Sequence, residues 1–215
     1  FKGGIHPNDG KSLAKDQAIA EVLPKGDLVY PLSQHIGAPA SPIVQKGDHV
    51  LKGQKIAEAG GFVSAPVYAS VSGTVKGLEK HFNPTGSLVD CIVIENDGEY
   101  EEAERSPVKP LEEMSGEEII GMIGEAGIVG MKENGICGAG GAGFPTYAKL
   151  DERVETVILN CAECEPYITA DYRRMLENTE ELVSGMRIVL SLFDNARGIF
   201  RVEDNKKDCI EKLRE

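Results

Sequence analysis

At 215 residues, with 41% hydrophobic and 27% charged side chains, the chain is long enough for one large or two small soluble domains. Its 35 acidic and 23 basic residues give a formal net charge of -12, which removes the basic footprint that nucleic acids and anionic membranes require. No stretch approaches the roughly 18 to 20 uninterrupted apolar residues of a membrane-crossing helix, and no charged-then-apolar leader opens the chain. Any membrane association is therefore expected through partner proteins. Five cysteines, an odd number spread over positions 91, 137, 161, 164 and 209, favour a reducing cytosol over a disulfide framework. The start at Phe1 and a helical pattern running straight to Glu215 suggest a piece of something longer.

Residues 1–24 read as an amino-terminal extension packing on the domains. Residues 25–95 are dense in Gly, Pro, Val and Ile, with turn signals every few positions, and predict short strands joined by tight turns. Two turn-strand units, Gln45-Lys46-Gly47-Asp48-His49-Val50 and Lys52-Gly53-Gln54-Lys55-Ile56-Ala57, precede Ala65-Pro66 and Ser70-Val71-Ser72-Gly73-Thr74-Val75. That order resembles the biotinyl/lipoyl-type hammerhead barrel over about a third of the chain. Such carrier domains expose a modified lysine on a hairpin tip. Here the tip falls at Ala59-Gly60-Gly61-Phe62, with no amine, and Lys46, Lys52 and Lys55 read as solvated side chains on a scaffold or docking module. His35, His49 and His81 show no metal-ligand spacing and read as surface or loop histidines.

Residues 96–114 turn acidic and proline-bearing, a solvated linker or a strap over the surface. Ser115-Gly116-Glu117-Glu118 is a capping box, so a helix begins there, with Ile119, Ile120, Met122, Ile123 and Ala126 on its apolar face and Gly127 to end it. Val154 to Leu159 predicts a buried strand. Thr179 is placed to cap a long helix with a stripe of Leu182, Val183, Met186, Val189, Leu190 and Phe193. Gly198 to Val202 predicts another strand, and Asp204 can start a helix carrying Cys209, Ile210 and Leu213. Strand, helix, strand, helix predicts an α/β domain with a parallel sheet over residues 115–215, incomplete at its carboxyl end.

Two stretches carry chemistry. Gly138-Ala139-Gly140-Gly141-Ala142-Gly143-Phe144-Pro145-Thr146-Tyr147-Ala148-Lys149 packs four glycines into six residues, so backbone amides can approach a phosphate. A helix can start at Pro145, and Lys149 adds a mobile positive charge. Alone it could equally be a glycine-rich loop. The dinucleotide fingerprint also wants a strand before the glycines and an acid about 20 residues on, whereas Ile136-Cys137 is a poor strand and Val157-Ile158 stand in the acid's place. The second stretch, Asn160-Cys161-Ala162-Glu163-Cys164-Glu165-Pro166-Tyr167-Ile168-Thr169-Ala170-Asp171, follows a predicted strand, where open α/β sheets bind ligands. An acidic surface loop is the competing reading. Cys161 and Cys164 have C-x-x-C spacing, but one pair is too few for a zinc site and it opens no thioredoxin-like helix.

G-x-G-G-A-G-F-P-T-x-x-K followed by N-x-A-E-C-E-P-Y-I-T-A-D resembles the flavin- and NADH-binding region of the complex I 51-kDa flavoprotein family, and most closely the RnfC family of the Rnf electron transport complex. The opening Phe1-Lys2-Gly3-Gly4-Ile5-His6-Pro7 and the barrel match that family too. The resemblance implies an α+β two-domain chain: a hammerhead barrel at 25–95 without a modified lysine, an acidic linker at 96–114, and a partial FMN/NADH-binding α/β domain at 115–215. It implies FMN phosphate and ribityl contacts from Gly138, Gly140, Gly141, Gly143 and Lys149. Asn160, Glu163 and Glu165 would lie near flavin and nicotinamide, with Glu165 positioning the nicotinamide and no side chain acting as acid or base.

NADH oxidation via FMN would feed electrons to two 4Fe-4S clusters beyond this piece, and then to other Rnf subunits at the cytoplasmic face of the membrane. The piece alone would be inactive and hold no metal. Two alternatives remain: a soluble relative feeding an amino-acid (proline-type) reductase, and a non-catalytic docking module. The chain departs from the pattern at Ala139, where 51-kDa relatives carry a basic residue, and at residues 131–137, which look like an insertion.

Overall fold

A computed structural model describes residues 8–83, 86–105, 107–133, 136–138, 143–150 and 154–215, with backbone alone for 129–133, 136–138 and 149. The chain divides into two compact units, Leu23–Glu152 in one and Phe1–Val22 with Arg153–Glu215 in the other.

In the first unit the Gly- and Pro-punctuated region folds into seven strands: β1 (Asp27–Pro31), β2 (Ser41–Pro42), β3 (His49–Val50), β4 (Lys55–Glu58), β5 (Val67–Tyr68), β6 (Gly73–Phe82) and β7 (Leu88–Asn96). They form two antiparallel sheets, ordered β1-β7-β6-β3 and β2-β4-β5. Val50, Ile56, Ile92 and Ile94 from the strands and Val71 from the link between β5 and β6 form a shared core, all fully shielded from solvent. Each such side chain contributes roughly 1.5–3 kcal/mol on burial. Residues 59–66 connect β4 to β5, with Phe62 80% exposed and no lysine among them. Lys46 is exposed, while Lys52 and Lys55 are half-buried and paired with Glu102 and Glu125.

Of the two readings of the acidic stretch, residues 100–103 take the strap. Lys52 N–H donates to Glu101 O and Ala103 N–H to Lys52 O, both at 2.8 Å, while Tyr100 packs on the core and its hydroxyl donates to Pro24 O at 2.7 Å. Next, α1 (Gly116–Glu125) starts at the capping box, with Glu118 N–H donating to Ser115 Oγ at 3.2 Å and Ser115 N–H to Glu118 Oε2 at 2.9 Å. The Lys109 ammonium, then the Ser115 amide, hold the Glu118 carboxyl down to about 2. Gly127, at φ +67°, follows the helix end. β8 (Val129–Glu133), β9 (Ile136–Gly138) and β10 (Phe144–Pro145) then form an antiparallel sheet ordered β10-β8-β9. The stretch at 131–137 thus contributes to the antiparallel pair β8 and β9, and a strand does precede the glycines, although not as part of a β-α-β unit.

In the second unit β11 (Thr156–Cys161), α2 (Ala170–Glu177), α3 (Thr179–Leu190), β12 (Arg197–Val202) and α4 (Lys207–Arg214) follow one another, and β11 and β12 pair in parallel from Thr156↔Arg197 to Cys161↔Val202. Leu159 and Cys161 of β11, Phe200 and Val202 of β12, Met175 of α2, Leu182 of α3 and Cys209 of α4 share one cluster. Three expectations need correction. The strand is covered on one face only among the described residues, leaving Ile158 58% exposed. Thr179 does not cap α3: its hydroxyl donates back to Met175 O, because the chain has already turned through α2, which the sequence reading missed. The last helix begins at Lys207 rather than Asp204, with no side-chain cap.

Candidate functional site

The glycine stretch is described at its flanks. Gly138 ends β9 opposite Met131, and Gly140 and Gly141 lie outside the described residues. Gly143 is buried at φ +78°; its carbonyl accepts from Ile36 N–H at 2.8 Å, and a Cβ there would stand 3.2 Å from His35 Cα. Only a glycine backs onto that loop without strain. The helix expected from Pro145 is a single 3-10 turn, Thr146–Lys149, fixed by Thr146 N–H donating to Ile128 O at 2.9 Å. Lys149 contributes its backbone to that turn.

Two side chains beside the glycines were not singled out by the sequence reading. Ala65 N–H donates to His35 Nε2 at 3.0 Å, which puts the imidazole proton on Nδ1, 3.1 Å from Ile36 O. His35 thereby braces the loop on which Gly143 rests. Thr146 Oγ1 is buried and has no hydrogen-bond partner among the described residues. A buried hydroxyl left without a partner costs about 1–3 kcal/mol. Tyr147 anchors the turn: its hydroxyl donates to Phe62 O, and the two rings meet edge to face at 6.4 Å.

The strand-end loop belongs to the other unit. Asn160, exposed at the end of β11, accepts from Ala162 N–H at 3.3 Å. Glu163 is 2% exposed and both carboxylate oxygens are engaged. Oε1 accepts from Asp171 N–H at 2.8 Å at the start of α2, and Oε2 faces Lys11 Nζ at 3.4 Å and Lys206 Nζ at 3.6 Å. Lys206, its side chain 9% exposed, also lies 2.9 Å from Glu203, in ion pairs that lack a well-aligned hydrogen bond. Burial works to lower its pKa, and the contacts to Glu203 and Glu163 outweigh that and raise it. Burial, then the neighbouring Glu163 charge, raises Asp171. Glu165 is exposed, and its carboxylate makes no hydrogen bond or ion pair among the described residues. An open cleft of about 420 Å³ runs past Lys11, Glu163, Tyr172 and Lys206.

The structure thus brings Asn160, Glu163 and Glu165 onto one loop, and it divides the two carboxylates between an internal ion cluster and solvent. Lys11 went unremarked in the sequence because nothing local marks a lysine whose carboxylate partner is 152 positions away, and Lys206 because its local pair with Glu203 gives no sign of the more distant Glu163. Cys161 is buried, which raises its thiol pKa, whereas Cys164 is exposed, and both are free. No cluster of three or more metal-ligating side chains occurs among the described residues, and no helix there is long and apolar enough to cross a membrane.

Residues 1–99 match the family model described as the RnfC barrel sandwich hybrid domain, and residues 131–215 match the Nuo51 FMN-binding domain. The sheet sandwich thus lies within the barrel match, and the β11/β12 pair with its helices lies within the FMN-binding-domain match. The C-subunit of the proton-translocating ferredoxin:NAD(+) oxidoreductase complex of Clostridium ljungdahlii is 46% identical over 100% of this chain and 46% of its own length. The C-subunit of the Na(+)-translocating ferredoxin:NAD(+) oxidoreductase complex of Acetobacterium woodii is 42% identical over 99% of this chain and 47% of its own. The C-subunit of the ion-translocating oxidoreductase complex of Haemophilus influenzae is 38% identical over 100% and 32%. The chain belongs to the RnfC family, and it spans about half or less of the length of these relatives.

Proposed function

We propose that the chain is the amino-terminal portion of an RnfC-type protein, an oxidoreductase component that oxidises NADH through FMN and passes electrons to iron-sulfur clusters elsewhere in the protein and to other Rnf subunits. The match to an FMN-binding module across the glycine and strand-end stretches carries this reading, and the names of the relatives support it. FMN supplies the hydride and one-electron chemistry; the protein supplies position and electrostatics.

The described residues suit that cofactor. Gly143 holds left-handed backbone against His35 at the edge of the stretch, and Thr146 has a buried hydroxyl with no hydrogen-bond partner among the described residues. Gly138, Gly140, Gly141 and Lys149 would complete a phosphate cradle, with Lys149 adding a charge-assisted contact. Glu165, exposed and unpaired among the described residues, is the carboxylate available to a nicotinamide ribose, and Asn160 would lie nearer the flavin.

The test uses full-length protein. Lys149→Ala should weaken FMN retention by roughly 1.5–3 kcal/mol while leaving the glycine cradle intact. Glu165→Gln should keep FMN bound and slow bleaching of the flavin band by NADH in stopped flow. Full flavin occupancy in the first variant together with wild-type reduction in the second would remove the assignment.

A further inference from the structure

The amino-terminal segment grips the strand-end loop at two points. Lys11 Nζ lies 2.5 Å from the Glu163 carbonyl oxygen, 2.9 Å from the Ile168 carbonyl oxygen and 3.4 Å from Glu163 Oε2, so each of its three protons has an acceptor. Beside it, Tyr167 N–H donates to Asp9 O at 2.6 Å. Tyr167 sits at φ +66°, a conformation a non-glycine residue holds only when its surroundings impose it. Its ring packs against Gly10, buried at φ +63°, where an added Cβ would fall 2.3 Å from that ring. Together these contacts tie the loop at Glu163 and again at Tyr167–Ile168. Glu165 is left between the two ties, facing solvent.

We infer that Lys11 is a positioning residue for the NADH site, and that Glu163 serves as its internal anchor and not as a ligand contact. The inference rests on the reading of this loop as the one that meets the nicotinamide half of NADH. An ammonium that bridges the carbonyls of residues 163 and 168 closes the loop around Glu165 and limits the directions its carboxylate can take. Such preorganisation lowers the ordering cost of binding. Lys206 faces the same carboxylate oxygen at 3.6 Å, and without the two lysines the buried Glu163 carboxylate would lose both counter-charges.

The experiment takes full-length, FMN-loaded protein with Lys11→Met, Lys11→Arg, Glu165→Gln and the Lys11→Met/Glu165→Gln double variant. Stopped-flow reduction is measured across NADH concentrations, with hydrogen exchange of the loop amides. Lys11→Met should raise the half-saturating NADH concentration about tenfold, the equivalent of about 1.4 kcal/mol. Lys11→Arg keeps the charge and several donors and should recover at least part of that loss. In the Glu165→Gln background Lys11→Met should add less than about twofold, because it acts through a carboxylate already removed. Exchange at residues 164–168 should speed up in Lys11→Met with or without NADH.

Effects that multiply in the double variant, or an unchanged half-saturation in Lys11→Met, would overturn the role assigned to Lys11. If NADH fails to bleach the wild-type flavin, the proposed function itself is wrong. In that case unchanged loop exchange in Lys11→Met would show that the structural tie is wrong as well, and faster exchange would leave the tie standing without the function.

Discussion

Replacing Gly143 by alanine tests whether the glycine stretch is shaped by its own backbone demands. A non-glycine residue in the left-handed region costs about 1–2 kcal/mol. At φ +78° Gly143 pays that and more, since the new Cβ would stand 3.2 Å from His35 Cα, where backbone must yield by a few tenths of an ångström. Overpacking of that kind adds about 1–3 kcal/mol. Gly47 is the control: its φ is +94° with nothing within 4 Å of the added Cβ, so Gly47→Ala carries the conformational cost alone. Gly143→Ala is therefore expected to be less stable than Gly47→Ala by about 1–3 kcal/mol, at about 2–4 °C per kcal/mol in the melting transition. Thermal unfolding followed by two probes gives the comparison, and flavin content after gel filtration shows whether the strained loop also loses the cofactor. Equal melting of the two variants would refute the His35–Gly143 packing as the source of strain.

Ser115→Ala should cost about 1 kcal/mol through loss of the cap on α1, read from chemical denaturation. In a Cys137→Ser background a thiol reagent at mildly alkaline pH should label Cys164 first. Cys91, Cys161 and Cys209 should react only on unfolding, because burial raises all three thiols, Cys209 to about 11. Tyr172, hydrogen-bonded to Asp208 and partly desolvated, has its pKa raised from 10.0 to about 12. Its contribution to stability is full below about pH 10 and disappears as pH rises through about 12, so Tyr172→Phe should remove the latest-ionising phenol from an ultraviolet titration and flatten that part of the stability profile.

Much of this was legible in the residues. Local signals with a local cause read well: the Ser115–Glu118 box did start a helix, Gly127 did follow its end, and the turn-rich stretch did become a sheet sandwich. Where the reading failed, the deciding partner was distant or the pattern ambiguous. Thr179 has a capping residue's chemistry, but α2 ends just upstream and Asn178 takes the N-cap position, so Thr179 is already the first residue of α3 and its hydroxyl donates back to Met175 O. Ile136-Cys137 read as a poor strand because short strands carry little periodicity, yet it pairs with β8. Glu163 and Glu165 are alike as letters. Only the fold shows that one is enclosed by two lysines and the other is open.

The unit that contains the strand-end loop is assembled from both ends of the chain. Synthesis delivers Asp9, Gly10 and Lys11 first and their partners, Glu163 to Ile168, some 152 residues later. In the interval the intervening residues can complete a sandwich core of their own, and the first segment must wait without its acceptors. Closing so long a span costs only slightly more entropy than closing a shorter one, yet it postpones the event. Docking of the amino-terminal segment is thus expected among the last steps in building this unit, which makes loop closure around Glu165 a late marker of its assembly.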